Sequence, residues 1–146
     1  MKIGIIVAIL LLIFIFEGIS FAKKFIAISS KWKGYRVIRY KLQNKEYKFL
    51  VADTQEKWTK GLMYVRDLDN LDGMIFMFPK SQIQSFWNEN TLMDLDIFWI
   101  NNGKVVGTAF LPSIEKSKNK VIINSPKPVD TVVELVRKSG KKSFLN

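Results

Sequence analysis

The chain contains neither cysteine nor histidine. The lack of cysteine excludes a disulfide scaffold and a thiolate nucleophile, and the lack of both residues excludes an ordinary zinc site. A Ser-His-Asp triad cannot form without histidine. Any chemistry must therefore come from carboxylates, amides, hydroxyls, lysine or arginine, and the sequence predicts neither a metal nor a cofactor.

A long basic tract is also missing. The formal net charge is +10 over 146 residues, yet no five lysines or arginines stand together. The first 22 residues carry only Lys2 and Glu17, which cancel, so the positive charge belongs to the remainder of the chain. This distribution is typical of a solvated surface, with an anionic membrane surface as the alternative partner. No recognised motif accompanies the charge, which argues against binding of nucleic acid.

The N-terminus has the pattern of a secretory signal. Lys2 precedes an apolar run from residue 3 to residue 16, and small residues around Ser20 and Ala22 lead into Lys23. This pattern predicts export with cleavage near Ala22. Residues 3–22 would also span about 30 Å as a helix, which is enough for a membrane anchor. We therefore expect an extracytoplasmic protein that is either secreted or anchored.

The remaining chain has room for one domain. We assign residues 1–22 to a signal peptide or membrane anchor, 23–34 to a linker and 35–146 to a single β domain. Alternating residues 35–42 and β-prone residues 46–52 flank a turn, which predicts a hairpin. Asn101-Asn102-Gly103 predicts a second hairpin turn, between Leu95–Ile100 and Lys104–Leu111.

Four further segments are assigned from their capping residues, their apolar character or their β-branched residues. Asp53 or Thr54 is a good N-cap for a short helix over residues 55–63, in which Trp58 would pack inward. Residues 74–78 are apolar throughout, which predicts a strand covered on both faces and ended by Pro79. Residues 113–120 are expected to form a loop, and residues 129–136 fit either a helix or a strand, with β-branched residues favouring the strand.

Residues 85–100 carry the best candidate site. Asp94 and Asp96 would project from one face of an extended strand, about 6 to 7 Å apart. Two carboxyl groups at such a distance are candidates for the acid and base of a hydrolase. The alternative is structural, because a buried Asp96 would need Lys60 or a backbone amide as its partner.

The same stretch suggests a ligand-binding rim. Trp87 offers an apolar indole face beside Asn90 and Thr91, a combination that suits sugars or other polar rings. Asp96 and Lys60 complete the set of candidate ligand-binding residues. The alternative for Asn90 and Thr91 is a turn whose side chains satisfy their own backbone.

An ordered set of motifs over about 90 residues resembles the family called domain of unknown function 192. The matching segments are Ala52-Asp53-Thr54, Lys60-Gly61-Leu62-Met63-Tyr64, Gly73-Met74-Ile75-Phe76-Met77-Phe78-Pro79, Ser85-Phe86-Trp87, Asn90-Thr91, Leu95-Asp96-Ile97, Gly103-Lys104-Val105-Val106 and Val132-Val133-Glu134-Leu135. The resemblance implies a compact, mainly antiparallel β sandwich or barrel with one or two short helices, often behind an export signal. It also implies that residues 131–135 are a strand, and it brings no established activity.

The chain differs from the family pattern at Lys60, where the family commonly has Arg, at Glu89, where it commonly has Lys, and in a shorter C-terminal region. We expect an exported or membrane-tethered β domain that is noncatalytic and binds a small polar ligand, a glycan or an envelope partner. A hydrolase using Asp94 and Asp96, and a structural module with a basic surface for anionic lipid or polymer, are the alternatives.

Overall fold

The computed structural model describes residues 31–138. The chain divides into two units, residues 1–34 and 35–146. The predicted signal peptide or anchor, with its cleavage near Ala22, lies outside the described residues. Within residues 31–138, no helix has the length and apolar character needed to cross a membrane.

Eight strands and two short helices form the second unit. They are β1 (Arg36–Leu42), β2 (Lys45–Ala52), α1 (Gln55–Lys60), β3 (Gly73–Gln82), β4 (Ser85–Trp87), β5 (Leu95–Asn101), β6 (Lys104–Leu111), α2 (Ile114–Ser117), β7 (Ile122–Asn124) and β8 (Val129–Val136). The predicted mainly β domain with one or two short helices is therefore confirmed for the described residues, and so is a strand over residues 131–135.

Six strands form one sheet in the order β1-β2-β3-β8-β5-β6, and β4 pairs with β7 in a separate two-stranded ribbon. The paired strands are antiparallel except β2 and β3, which run parallel. Strand β8, late in sequence, lies between β3 and β5 and so joins the two halves of the sheet.

Both faces of the central strands are buried. Successive side chains of a strand point to opposite faces, and the residues on one face form a single apolar cluster, which contains Phe49, Val51, Ile75, Phe98, Ile100, Val133 and Leu135. The opposite face carries Leu50, Met74, Phe76, Ile97, Trp99, Val132 and Glu134. Glu134 is the charged residue among these buried positions, and it lies on the second face.

Both predicted hairpins are present. Gln43 and Asn44 connect β1 to β2 with positive φ, and Asn102 and Gly103 connect β5 to β6 in the same way. A turn whose two central residues have positive φ matches the right-handed twist of the flanking strands. Asn and Gly adopt positive φ more readily than other residues, which is why they are common in such turns.

Three local predictions are wrong. The helix predicted to reach Met63 ends at Lys60, because Gly61 adopts φ 47° and ψ −135°, outside the helical region. Strand β3 does not end at Pro79 but continues to Gln82. Its pairing with β8 is interrupted between Met77 and Gln82. Pro79 has no backbone N–H, and at this unpaired position the lack of one costs no hydrogen bond between the strands. The predicted loop over residues 113–120 contains α2, whose first turn is capped by the Ser113 hydroxyl.

Candidate functional site

A cleft of about 350 Å³ opens on the second face of the sheet. One wall is α1 with the residues that follow it, Gly61 to Met63. The other wall comes from the second half of β3 and from β4. Glu134 from β8 and Phe76 from β3 are among its least exposed lining residues. The sequence predicts the helix and the first half of β3, but not β4 or the extension of β3, which together form the second wall.

Five aromatic side chains line the cleft: Trp58, Phe76, Phe78, Phe86 and Trp87. The Trp58 indole N–H donates to the Ala52 carbonyl oxygen at 2.9 Å, and its ring lies 5.1 Å from that of Phe78. The rings of Phe76 and Phe86 meet edge to face at 4.9 Å. Trp58 was expected to pack inward; it is half-buried and borders the cleft. These contacts fix an apolar wall whose ring faces a ligand can use.

Glu134 places a carboxyl group in this apolar setting. The residue is 5% exposed, and its neighbours across the sheet are Met74 on β3 and Ile97 on β5. No group among the described residues hydrogen-bonds its Oε2 atom. Burial raises the pKa of Glu134 from the ordinary value of 4.5 to about 8. A titratable group with a shifted pKa in a cleft is a recognised mark of a functional site.

Gln84 brings a second unpartnered polar atom to the same cleft. Its backbone N–H donates to the Ser125 hydroxyl at 3.0 Å, and its carbonyl oxygen accepts from the Ser125 N–H at 2.9 Å. The backbone is thereby fixed, yet the side-chain Nε2 of this 9% exposed residue has no partner among residues 31–138. Buried polar side chains usually have such partners.

Gly61 brings the wall close to Glu134. A Cβ atom at position 61 would lie 3.5 Å from the Phe76 ring and 4.0 Å from Oε2 of Glu134. Both distances are ordinary van der Waals contacts, so a Cβ atom would fit. The backbone conformation, φ 47° and ψ −135°, is instead one that residues other than glycine rarely adopt. Glycine is therefore required by the turn after α1, and it places no side chain between this wall and Oε2 of Glu134.

Three of the five predicted ligand-binding residues, Lys60, Trp87 and Thr91, line the cleft. Asn90 does not. It has φ 57°, and its carbonyl oxygen accepts the Tyr64 N–H at 2.8 Å, so it shapes the turn. Asn90 thus lies in a turn, as the structural alternative predicted, and the hydrogen bond that defines its place there comes from its backbone carbonyl and not from its side chain.

Asn88 holds this turn in place. Its side chain is fully buried and donates to the Pro112 carbonyl oxygen at 2.9 Å and to the Ser117 hydroxyl at 2.8 Å. Its Oδ1 accepts the Val121 N–H at 2.7 Å. The sequence predicts no such role for Asn88, because one buried amide in a polar turn has no distinguishing pattern.

Asp96 lies on the other face of the sheet. It pairs across the ladder with Leu135, the residue next to Glu134, so its side chain points away from the cleft. It is 1% exposed and its Oδ1 accepts from both Nε and a terminal nitrogen of Arg137. The expected ion pair of Asp96 is thus present, but Lys60 as its partner is wrong, because Lys60 lines the cleft on the opposite face.

Asp94 is also held by hydrogen bonds and an ion pair. It accepts the Ser113 N–H and the Lys116 ammonium, each at 2.8 Å. Burial alone would raise the pKa of Asp94, but these hydrogen bonds outweigh it and hold that pKa below the usual value. Lys116 and Arg137 both contact the Phe110 ring, at 5.0 and 4.1 Å. The two aspartates therefore belong to one ion-pair cluster around Phe110, and neither lines the cleft.

Metal binding has no evident site in the described part of the chain. Residues 31–138 contain no group of three or more acidic side chains placed to share an ion.

Comparison with known proteins identifies the family. The family model DUF192, described as "Uncharacterized ACR", matches residues 38–144. The chain belongs to this family. No curated protein matches the sequence.

Two crystal structures share the fold of this DUF192 domain. One is a protein of unknown function from Novosphingobium aromaticivorans, with a TM-score of 0.57 and 23% identity over 70% of this chain and 73% of the other. The other, from Sinorhizobium meliloti, is described as a candidate transcription regulator; its TM-score is 0.55 and its identity 27%, over 70% of this chain and 79% of the other.

Proposed function

We propose that this DUF192 domain is a noncatalytic binding domain that holds a small polar ligand in the cleft between α1 and β3–β4. One observation carries the proposal: Oε2 of Glu134 and Nε2 of Gln84 are both buried, both unpartnered among the described residues, and both part of the same cleft. A buried polar atom without a partner costs roughly 1–3 kcal/mol. A ligand carrying polar groups would pair both atoms and recover that free energy.

The walls support a ring-shaped or partly apolar ligand. Trp58 and Trp87 line the cleft and are half-buried, so part of each ring is exposed, although Lys120 lies over the Trp87 ring at 5.6 Å from its centroid. Sugars and other polar rings combine an apolar face with polar edges, which matches an aromatic wall beside Thr91 and Gln84. The volume of about 350 Å³ is at the small end of the roughly 300–1,000 Å³ range of ligand pockets. A small molecule or a single glycan unit fits better than a polymer segment.

The charges argue for binding instead of hydrolysis. Two-carboxylate hydrolysis needs a second acidic group within about 5 to 9.5 Å of the first. Glu134 is the acidic residue that lines the cleft, and its charged companions there are Lys60 and Lys80. Asp94 and Asp96 are already held by Lys116 and Arg137.

We further propose that this binding takes place outside the cytoplasm. Residues 1–22 have the pattern of a signal peptide or anchor, so the ligand is expected to be a metabolite or glycan of the cell envelope or its surroundings.

Ligand screening of the full chain tests the proposal. Tryptophan fluorescence and thermal shift, followed by calorimetry, would be measured against sugars, amino sugars, amino acids and nucleosides. We expect at least one compound to raise the unfolding temperature and change the fluorescence, because Trp58 and Trp87 line the cleft.

A matched pair of variants locates the binding. Trp87→Ala removes a wall of the cleft and should weaken the compound's binding, whereas Tyr64→Ala removes an aromatic ring that is 72% exposed and outside the cleft. Equal loss from both variants, or no bound compound in any class, would count against the cleft as a binding site.

A further inference from the structure

Glu134 supplies the cleft with a carboxyl group, and a neutral side chain could not replace all of its properties. If a neutral hydrogen-bond donor were enough, a glutamine would supply it without the desolvation cost of a group that can ionise. What a carboxyl group adds is a negative charge. A buried negative charge is stabilised when a cation pairs with it, and no described residue supplies one to Oε2.

The walls are suited to a cation. The faces of aromatic rings carry negative electrostatic potential and attract ammonium groups, most strongly where water is excluded. Five such rings line this cleft beside Glu134. Phe76 is only 1% exposed and Lys120 already lies over the Trp87 ring, so the open ring surface belongs to Trp58, Phe78 and Phe86. An ammonium group therefore meets favourable partners both at Oε2 and on the surrounding ring faces.

The remaining charges in the cleft are positive. Lys60 at the end of α1 and Lys80 on β3 both line it, both are exposed, and neither has an ion-pair partner among residues 31–138. The cross-strand neighbours of Glu134, Met74 and Ile97, are uncharged. A purely cationic ligand would be repelled by the two lysines, whereas a ligand with an anionic group at its other end would be attracted.

We propose that the cleft binds a small zwitterion, whose protonated amine pairs with the carboxylate of Glu134 and whose carboxylate or phosphate meets Lys60 and Lys80. Amino acids, amino-sugar phosphates and phosphorylated amino alcohols share this chemistry. The inference rests on the proposed ligand-binding function and narrows its substrate class. Because the amine keeps its proton, Glu134 must release its own to solvent when the complex forms.

The test uses the full chain and calorimetry. The probes are the twenty amino acids, phosphoethanolamine and glucosamine 6-phosphate, each with analogues that lack the amine or the anionic group. We expect at least one zwitterion to bind, and its deaminated analogue to bind at least about tenfold more weakly. Glu134→Gln should weaken the same zwitterion by a similar factor, since the amide cannot carry the charge.

Proton release gives a readout that a structural role of Glu134 would not move. At pH 7 the binding enthalpy should differ between phosphate and Tris buffers, because the buffer takes up the proton that Glu134 loses. The dependence should vanish in Glu134→Gln. Lys60→Gln and Lys80→Gln should each cost about two- to fivefold, whereas Lys127→Gln, an exposed lysine outside the cleft, should cost nothing.

The outcomes separate this inference from the proposed function. If a neutral or deaminated compound binds as tightly as the zwitterion, and Glu134→Gln keeps that binding while Trp87→Ala loses it, the cleft is a ligand site but the zwitterion is wrong. If no zwitterion binds and no compound of any class binds, both proposals fail. Zwitterion binding that Trp87→Ala and Glu134→Gln leave unchanged would place the site elsewhere and overturn both.

Discussion

At the scale of the residue, Glu134 should make the stability of the fold depend on pH. Its pKa in the folded state is about 8, against an ordinary value of 4.5, because burial disfavours the charged form. The folded protein therefore binds this proton more tightly than the unfolded chain does. The stabilisation is complete below the unfolded value and is lost as the pH rises through the folded value.

We expect the free energy of unfolding to fall between about pH 4.5 and 8, by up to about 1.4 kcal/mol per pH unit. Glu134→Gln keeps the shape of the neutral acid without the ionisation, so this fall should disappear from its profile. Urea unfolding measured from pH 5 to 9 on both proteins gives the difference. Glu46→Gln, at an exposed position, is the control and should leave the profile unchanged.

The ion pair of Asp96 should matter far more to stability than that of Asp94. Arg137→Met keeps an aliphatic side chain on the Phe110 ring but leaves Asp96, which is 1% exposed, without its cation. Breaking a buried pair costs about 3–5 kcal/mol, and since the Arg137 side chain is 23% exposed we expect the lower end, about 3 kcal/mol.

Lys116→Gln is the matched change at Asp94. Asp94 keeps the Ser113 N–H, and the Lys116 side chain is 59% exposed, so the loss should stay below about 1 kcal/mol. Chemical denaturation of both variants makes the comparison. Similar losses would mean that Asp96 does not depend on Arg137.

The candidate site was only partly visible in the sequence. The polar turn and its indole stood out, and Trp87 and Thr91 do line the cleft. The sequence favours Asp94 and Asp96 of the same stretch as site residues equally, yet the side chain of Asp96 points to the other face of the sheet. The sequence marks Glu134 only weakly, as the one acidic residue within the apolar segment from Val132 to Val136. Its importance depends on Gly61, at the end of α1, lying close to the Glu134 side chain, a long-range approach that no local pattern reveals.

At the scale of the element, the β3–β8 contact should depend on Gly73. A Cβ atom at this position would lie 1.9 Å from the carbonyl oxygen of Glu134, far inside contact distance. Gly73→Ala would have to push β8 away from β3 in the middle of the sheet. We expect a loss of at least about 3 kcal/mol, or no folded protein, because the obstacle is backbone and cannot rotate aside.

Gly103→Ala separates this steric effect from backbone conformation. Gly103 has φ 73° in the β5–β6 turn, but nothing lies within 4 Å of an added Cβ. Its loss should be only about 1 kcal/mol, the cost of holding alanine in a left-handed conformation. Thermal unfolding of the two variants, followed by circular dichroism, compares them directly. A Gly73→Ala protein as stable as Gly103→Ala would contradict the close strand approach.

The elements that the sequence predicts well are those fixed by local chemistry. The Asn-Gly turn and the β-prone segments around it predict β6 to the residue and β5 to within one residue, since β5 continues from Ile100 to Asn101. Both signals act within a few positions. The predicted strand β3 is too short, because a proline normally ends a strand. Pro79 is tolerated inside β3 because β8 does not pair with β3 at that point. The parallel contact of β2 with β3 is likewise set by topology, through α1 and the loop that follows it.

At the scale of the whole molecule, the +10 charge and the predicted leader would act together. The charges of residues 1–22 cancel, so residues 23–146 carry the whole excess. A cationic domain behind a secretory signal would be delivered to the outer side of the membrane, where anionic lipid and envelope polymers would hold it by salt-sensitive attraction. The zwitterionic ligand proposed for the cleft would be met in the same place.

Processing of the full chain tests this arrangement. We expect the product in the extracytoplasmic fraction, with an N-terminus at Lys23 found by intact-mass measurement, because the small residue Ala22 ends the apolar segment. Ala22→Arg should block cleavage and leave the product with the membrane, whereas Lys24→Arg, beyond the cleavage site, should be processed normally. A product that keeps its leader but is exported would be the anchored form. Full-length protein in the cytoplasm would show that residues 1–22 do not direct export, and the ligand would then have to be sought among cytoplasmic metabolites.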